Sequence, residues 1–292
     1  RILTIFIKYL ILISNIAIIK KLKEIIMSFS DWINSSYPNP SVDGQWGLLH
    51  ILTIVFCVGI IVAIALIFRK KSLKVRKIIL WILVGFILLF EIARRIINLV
   101  KLDGSGTIND YLYTLLPRPW CAIACWSIII SAIFNKRFLY NFSSMTALLC
   151  ALIFFAYPSV GFNNKYILFE NLYSIGTHSL LLITSISLIT LKFTKFEYRN
   201  IWKEAICYVV ILMYVFLEIY GLKIESDPMY FMPDNDVMEI FGVGYSAYLA
   251  IYIIFILVYF NIFYLIDDRK IFKKDKNDKS YDIIKKVVNA KS

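Results

Sequence analysis

The chain has 292 residues, of which 60% are hydrophobic, and its mean hydropathy is +0.72. Soluble domains are about 45–50% apolar, so this composition excludes an ordinary soluble domain and indicates an integral membrane protein. The net charge of +12 could suggest nucleic-acid binding, but the basic residues lie in short segments between apolar stretches, as cytoplasmic loops do. We therefore expect membrane lipids as partners and no nucleic acid.

The first 47 residues precede the long apolar stretches. The apolar part of residues 1–26 is interrupted by Lys8 and is followed, rather than preceded, by basic residues, which is not the order found in a signal peptide. Because Met27 is a plausible start of the mature chain, we interpret residues 1–26 as an upstream extension or a helix on the membrane surface. Residues 27–47 are polar and contain Pro and Gly, which predicts a loop outside the membrane.

Seven apolar stretches follow. A membrane-spanning helix needs about 20 apolar residues, and continuous rather than alternating apolar character favours helices over a β-barrel. The stretches are 48–68, 78–97, 120–134, 138–157, 171–191, 205–220 and 241–266. The sequence therefore predicts an all-α transmembrane bundle of seven helices over residues 48–266, with a basic tail at 267–292.

The charges of the connecting segments alternate along the chain. The segments after the first, third and fifth stretches, and the tail, are rich in Lys and Arg, and residues 69–77 are the most basic. The remaining segments are neutral or acidic. Because basic loops stay on the cytoplasmic side, this pattern predicts the N-terminal side of the bundle outside and the C-terminus in the cytoplasm. We expect a multi-pass protein of the cell membrane.

The third stretch begins with Leu115-Leu116-Pro117-Arg118-Pro119-Trp120-Cys121. Pro119 suits the first helical turn, where its missing N–H would have no intrahelical partner. Cys121 then lies among the free N–H groups at the positive end of the helix dipole, a position typical of reactive cysteines. The alternative interpretation is that Cys121 is a small, inert filler of the core.

Several polar groups fall in the predicted outer half of the bundle. They are His50, Glu91, Arg94, Arg95, Cys121, Cys125, His178 and Glu218. Charged side chains inside a membrane usually pair with one another or face a polar cavity. The spacing predicts an ion pair between Glu91 and Arg94 or Arg95, and a guanidinium is also suited to hold a lipid phosphate. His50 fits a helix-packing hydrogen bond as well as it fits a site.

Small polar neighbours surround His178, which favours room for a substrate. Of the five cysteines, Cys121 is our first candidate, and Cys125 lies one turn deeper on the same helix face. The odd number and irregular spacing of the cysteines do not indicate a disulfide framework or a zinc ribbon. Two histidines cannot form a three-histidine zinc site, although a mixed Cys/His/Glu site stays open. We expect no cofactor and no metal.

Three motifs carry a family resemblance, together with an acidic, Pro-containing segment after the sixth stretch. The motifs are Gly47-Leu48-Leu49-His50, Leu116-Pro117 to Cys121, and Thr177-His178. Over about residues 27–266 the chain resembles the YwaF-like integral membrane family, whose eukaryotic relatives include transmembrane protein 164. Family members more often have a His shortly before the Cys, where this chain has Arg118 and Pro119.

The resemblance implies an activity, because the eukaryotic relatives are regarded as phospholipid acyltransferases that use a Cys and a His. It places those roles on Cys121 as nucleophile and His178 as base. Arg94, Arg95, Glu91 and His50 would then contribute to substrate binding, with a donor lipid or acyl-CoA as the source of the acyl chain. The alternative is a non-enzymatic transporter or receptor for a small anionic solute or lipid, bound by the arginines.

Overall fold

The computed structural model describes residues 46–102, 106–157, 159–162, 169–224 and 242–268, together with Tyr230, Pro233 and Met238. The predictions for residues 1–26 lie outside the described residues, as do those for nearly all of 27–47 and for the tail beyond 268. All regular secondary structure in the described part is helical, which confirms the all-α prediction.

Nine α-helices form the described part of the chain. They are α1 (Leu48–Phe68), α2 (Leu73–Leu102), α3 (Ile108–Leu115), α4 (Trp120–Phe134), α5 (Arg137–Ala156), α6 (Ser159–Phe162), α7 (Phe169–Thr190), α8 (Ile201–Phe216) and α9 (Tyr245–Asp268). A 3-10 turn at Tyr198–Asn200 precedes α8, and a π-helical turn at Leu217–Gly221 extends it.

Five of the described helices are long and apolar enough to cross a membrane: α1, α5, α7, α9, and α8 with its flanking turns. The pair α3 and α4, which is bent by 53°, raises the number to six if it counts as one span. Helix α2 is 30 residues long, but its apolar middle lies between charged residues at both ends and it does not meet the same criterion. The seven-span arrangement and its orientation therefore stay predictions.

Helix α2 begins earlier than the sequence suggested. The segment 69–77 was predicted as a loop, but the helix starts at Leu73, because Leu, Lys and Arg are all good helix formers. Arg76 is only 1% exposed, and its Nη1 donates a hydrogen bond of 2.7 Å to the carbonyl of Leu191 just past α7. One cation of this basic segment therefore has a structural role between helices.

Helix α3 is a second difference, because the polar residues 101–117 between the second and third apolar stretches suggest a connecting loop. Its start is fixed by a capping box, in which the Thr107 hydroxyl accepts from the Asp110 N–H and the Asp110 carboxylate accepts from the Thr107 N–H. A Thr followed three residues later by an acidic residue is a known helix start. The chain therefore reaches α4 through a helix and a sharp bend.

Helix α5 is the centre of the bundle and packs most closely against α4 and α7. Within its apolar stretch 72% of the residues are buried inside the protein, compared with 11% for α9. Small residues on α5 allow this close approach: Ser143, Ser144, Ala147 and Ala151 are fully buried. Helices α1 and α2 pack on α7, and α8 packs on α5.

The polar contacts between helices lie at the two ends of the bundle. One set joins the start of α5 to the segment after α7 and to α8, through Asn141, Lys195 and Glu204. On that side the N–H of Phe196 also donates to Asp267 near the end of α9. The other set joins the ends of α2 and α8 to the beginnings of α4 and α7, and it contains the candidate site.

Candidate functional site

Cys121 is the second residue of α4. Pro119 occupies the N-cap position, one residue before the helix rather than in its first turn, and its backbone is extended with φ −77° and ψ −158°. The Arg118–Pro119 peptide bond is cis. The carbonyl of Pro119 accepts hydrogen bonds from the N–H groups of Ala122 and Ile123, at 2.9 and 3.2 Å. In the first turn this leaves the amides of Trp120 and Cys121 as N–H donors without an intrahelical acceptor.

The Cys121 thiol contacts side chains from two other helices. It lies against the Cys150 thiol of α5 and the His178 ring of α7. The sequence leaves open whether Cys121 or Cys125 meets His178, because Cys121 begins its helix whereas His178 lies about 10 Å below the start of the apolar stretch 171–191, at 1.5 Å per residue. The structure places Cys121 beside His178. The bent α3–α4 pair therefore brings the start of α4 to the depth of the third turn of α7.

The His178 ring is held in one orientation. Its Nδ1 lies 2.7 Å from the Ser174 carbonyl oxygen. Since a carbonyl oxygen only accepts, Nδ1 carries the proton, and Nε2 is the nitrogen left to take a proton from the Cys121 thiol. The ring also stacks on Phe154, with centroids 3.8 Å apart and an interplanar angle of 8°. A methyl group added at Gly161 would lie 2.5 Å from Phe154, so this close packing fixes Phe154 as well.

Glu91 and Arg95 form the predicted ion pair. Glu91 is fully buried, and its Oε2 accepts a 2.5 Å hydrogen bond from Arg95 Nη1. Its other oxygen accepts from the Tyr173 hydroxyl at 3.0 Å. Arg95 also donates from Nε to the Leu115 carbonyl at 3.1 Å and lies over the Trp126 ring. Glu91 and Arg95 therefore connect α2 to α7 and to the segment before α4.

Arg94 has a different environment from Arg95. Its Nη2 donates to the Arg118 carbonyl at 2.7 Å, and its guanidinium lies over the Tyr173 ring at 5.6 Å. Its Nε is buried and has no hydrogen-bond partner among the described residues. The Arg94 charge also interacts electrostatically with Cys121. Both arginines keep one buried donor without a partner among the described residues, Nε of Arg94 and Nη2 of Arg95, and Arg94 is the one whose charge acts on Cys121.

Glu218 lies in the π-helical turn after α8. It is fully buried, its Oε1 accepts from the Tyr214 hydroxyl, and its Oε2 lies 3.3 Å from Arg118 Nε. Arg118 precedes the N-cap of α4, and its backbone carbonyl is the acceptor for Arg94. Glu218 therefore acts on the segment that positions Cys121, and π-turns of this kind occur frequently at functional sites.

His50 lies near the start of α1, surrounded by aromatic rings. Its ring centroid is 4.7 Å from that of Phe162, 5.0 Å from Trp46 and 6.0 Å from Phe155. The Phe155 backbone lies nearby, yet neither ring nitrogen reaches hydrogen-bond geometry with any described group. His50 is therefore held mainly by packing against these rings, and the helix-packing hydrogen bond stays a prediction. Rings of α5 and α6 separate His50 from His178.

Cys125 is 1% exposed and lies one turn deeper than Cys121. It belongs to the main apolar core. Within the described ranges, no three His, Cys, Asp or Glu side chains are placed to hold a metal ion.

Three residues that contact the candidate site residues were not predicted from the sequence: Cys150, Phe154 and Tyr173. Cys150 and Phe154 are four residues apart, so they lie on one face of α5, and that face meets Cys121 and His178. An apolar helix gives no sequence signal for which face turns inward. Tyr173 lies five residues before His178, and only its contact with Glu91 shows its importance.

Most of the chain matches a known protein family. The model of the TMEM164 family matches residues 44–266, which is more than half of the chain. The chain belongs to the TMEM164 family. Neither the curated proteins nor the solved structures contain a match. The resemblance found in the sequence is thereby confirmed, and this TMEM164-family chain is an integral membrane protein. His50, Cys121 and His178 all lie inside the matched range.

Proposed function

We propose that this TMEM164-family chain is a lipid acyltransferase that carries the acyl chain as a thioester on Cys121. The observation that supports this proposal best is the position of the Cys121 thiol beside the His178 ring, whose Nδ1 is fixed by the Ser174 carbonyl. A nucleophile, a base and a group that orients the base are the elements of nucleophilic catalysis. In this site the carbonyl of Ser174 takes the place of the usual third side chain.

The first half-reaction transfers the acyl chain to the protein. His178 Nε2 takes the thiol proton while the sulfur attacks the ester carbonyl of the donor lipid, which forms a tetrahedral oxyanion. The amides of Trp120 and Cys121 and the Nε of Arg94 are the donors placed to stabilise this oxyanion. When the intermediate collapses, the C–O bond breaks and the imidazolium returns its proton to the leaving alcohol.

The second half-reaction repeats these steps with a different nucleophile. His178 Nε2 takes the proton of an acceptor hydroxyl, the oxygen attacks the thioester carbonyl, and the C–S bond breaks. The proton on His178 then returns to the Cys121 sulfur. Arg94 is also suited to hold a lipid phosphate, because a guanidinium binds phosphate through parallel N–H donors and Arg94 has an unused donor.

The proposed setting is a bundle of seven spans in the cell membrane, with the site in the outer half. Helix α2 would be the additional span; at 1.5 Å per residue its 30 residues cover about 45 Å, which is longer than the hydrocarbon core. Its charged residues are compatible with the membrane because Glu91 and Arg95 pair with each other. The alternation of loop charge supports an outer N-terminal side and a cytoplasmic C-terminus.

The test is the capture of the acyl-cysteine. The full chain in nanodiscs is incubated with a phospholipid whose acyl chain is isotopically labelled, and the cysteine peptides are analysed by mass spectrometry. We expect the label on Cys121, released by neutral hydroxylamine, absent from Cys121→Ser and formed more slowly by His178→Ala. Cys207→Ser, on α8 and away from the site, is the matched control and should be acylated at the rate of the unmodified chain.

The carrier or receptor interpretation makes a different prediction in the same assay. If the phospholipid binds in an Arg94-dependent way but no cysteine becomes labelled, the chain holds the lipid without reacting with it. That result would replace the acyltransferase proposal.

A further inference from the structure

Three thiols lie where α4 packs against α5: Cys121, Cys125 and Cys150. The side chains of Cys121 and Cys150 lie against each other, whereas Cys125 lies one turn deeper than Cys121 on α4; all three belong to or pack on the main core. All five cysteines of the chain are unpaired thiols. Cys121 is partly exposed, whereas Cys150 is only 7% exposed.

We propose that Cys121 and Cys150 are a redox pair, which closes to a reversible disulfide when an organic hydroperoxide reaches the site. The Cys121 sulfur attacks the terminal oxygen of the hydroperoxide, and the O–O bond breaks. This forms a sulfenic acid on Cys121 and releases the corresponding alcohol. The Cys150 sulfur then attacks the sulfenic sulfur, which forms the S–S bond and releases water. Two thiols lose two electrons in total, and one hydroperoxide gains them.

The two cysteines have different roles for structural reasons. Cys121 is the more exposed thiol, and it contacts His178 Nε2, which can take its proton during the attack. Cys150 lies behind it in the core, which is the position of a resolving thiol beside a peroxide-reactive cysteine. Thiols whose side chains already meet are suited to such a bond, whereas cysteines on diverging faces require backbone movement. Cys57 is not placed for this reaction, since its side-chain partner is Ser179.

This proposal does not depend on acyl transfer, because it needs only the two thiols and a hydroperoxide. Where acyl transfer does occur, the disulfide would block the Cys121 nucleophile. An oxidised lipid that reaches Cys121 would therefore inhibit acyl transfer. Phospholipid hydroperoxides are the class of oxidant to expect, because Cys121 lies within a membrane-embedded bundle. Reduction by a small thiol would restore the site.

Peptide mapping of the oxidised protein tests the pair. The full chain in detergent is treated with cumene hydroperoxide, the remaining thiols are blocked, and the peptides are analysed without reduction. We expect one intramolecular disulfide, between Cys121 and Cys150, which dithiothreitol reverses. In Cys150→Ser the disulfide should be absent, and dimedone should trap a sulfenic acid on Cys121 as the main product.

Cys125→Ser is the matched control, because it removes a neighbouring thiol from the same helix, and it should keep the disulfide. A disulfide between Cys121 and Cys125, a disulfide only between separate molecules, or direct overoxidation of Cys121 in the unmodified chain would overturn the proposal. The unmodified chain carries the test alone if a variant folds poorly. None of these results depends on whether an acyl-cysteine forms.

Discussion

Replacement of Glu91 by Ala should strongly destabilise the bundle. The Glu91 carboxylate is fully buried and accepts hydrogen bonds from Arg95 and Tyr173. Removing one partner of a buried ion pair costs about 3–5 kcal/mol, and the hydrogen bond from Tyr173 adds about 1 kcal/mol. For a chain of this size, about 2–4 °C of melting temperature corresponds to 1 kcal/mol. We therefore expect a loss of about 4–6 kcal/mol, so that Glu91→Ala melts about 8–24 °C lower in detergent.

The control is Glu197→Ala, which removes an acidic residue from an ion pair near the surface. The Glu197 and Lys195 side chains are 31% and 35% exposed, and exposed pairs contribute about 0–1 kcal/mol. Its melting temperature should therefore change by no more than about 3 °C. Combining Glu91→Ala with Arg95→Leu should recover part of the loss, because no unpaired charge remains. A Glu91→Ala protein that melts like the unmodified chain would refute this reasoning.

Three further outcomes are expected. A cysteine placed at Lys74 should resist a membrane-impermeant reagent in intact cells, because the basic segment is predicted to be cytoplasmic; ready labelling would contradict the topology. Iodoacetamide should label Cys121 faster than Cys57, and His178→Ala should slow the labelling by removing the proton acceptor. Equal labelling rates at Cys121 and Cys57 would show that Cys121 is an inert packing residue. If acyl transfer is established, Arg94→Ala should raise the KM for the phospholipid about tenfold or more, since a hydrogen bond from a charged group contributes about 1.5–3 kcal/mol; an unchanged KM would exclude Arg94 as the phosphate anchor.

The charge pattern of the sequence carried much of the site prediction. Alternating loop charge assigned His50, Glu91, Cys121 and His178 to one end of the bundle, because the direction of each helix follows from its flanking loops. The residues came from four different helices, so sequence distance alone could not group them. In the structure their side chains do lie at the same end.

The sequence could not assign a separate role to each neighbouring group. Arg94 and Arg95 are adjacent and identical in type, and only their contacts show that Arg95 pairs with Glu91 whereas Arg94 donates to the Arg118 carbonyl. Cys150 was overlooked because a cysteine in an apolar run is usually a small hydrophobic residue. The rotation of each helix about its axis decides these contacts, and uniformly apolar helices give almost no signal for it.

In the segment before α4, the sequence does contain a local signal for the helix that the structure shows. Residues 108–115 carry a capping box at Thr107 and Asp110, which is a local signal that could have predicted α3. The segment was treated as a loop because it lies between two long apolar stretches and contains several polar residues. Local capping chemistry was therefore more informative there than average polarity.

The deep burial of α5 restricts the substitutions that this helix can accept. On α9 most side chains face outward, so one apolar residue can replace another as long as hydrophobicity is kept. On α5 a larger side chain at Ala147 or Ala151 would force the neighbouring helices apart, and overpacking of this kind costs about 1–3 kcal/mol. Among related chains, α5 should therefore conserve the volume of its side chains, whereas α9 should conserve only their hydrophobicity.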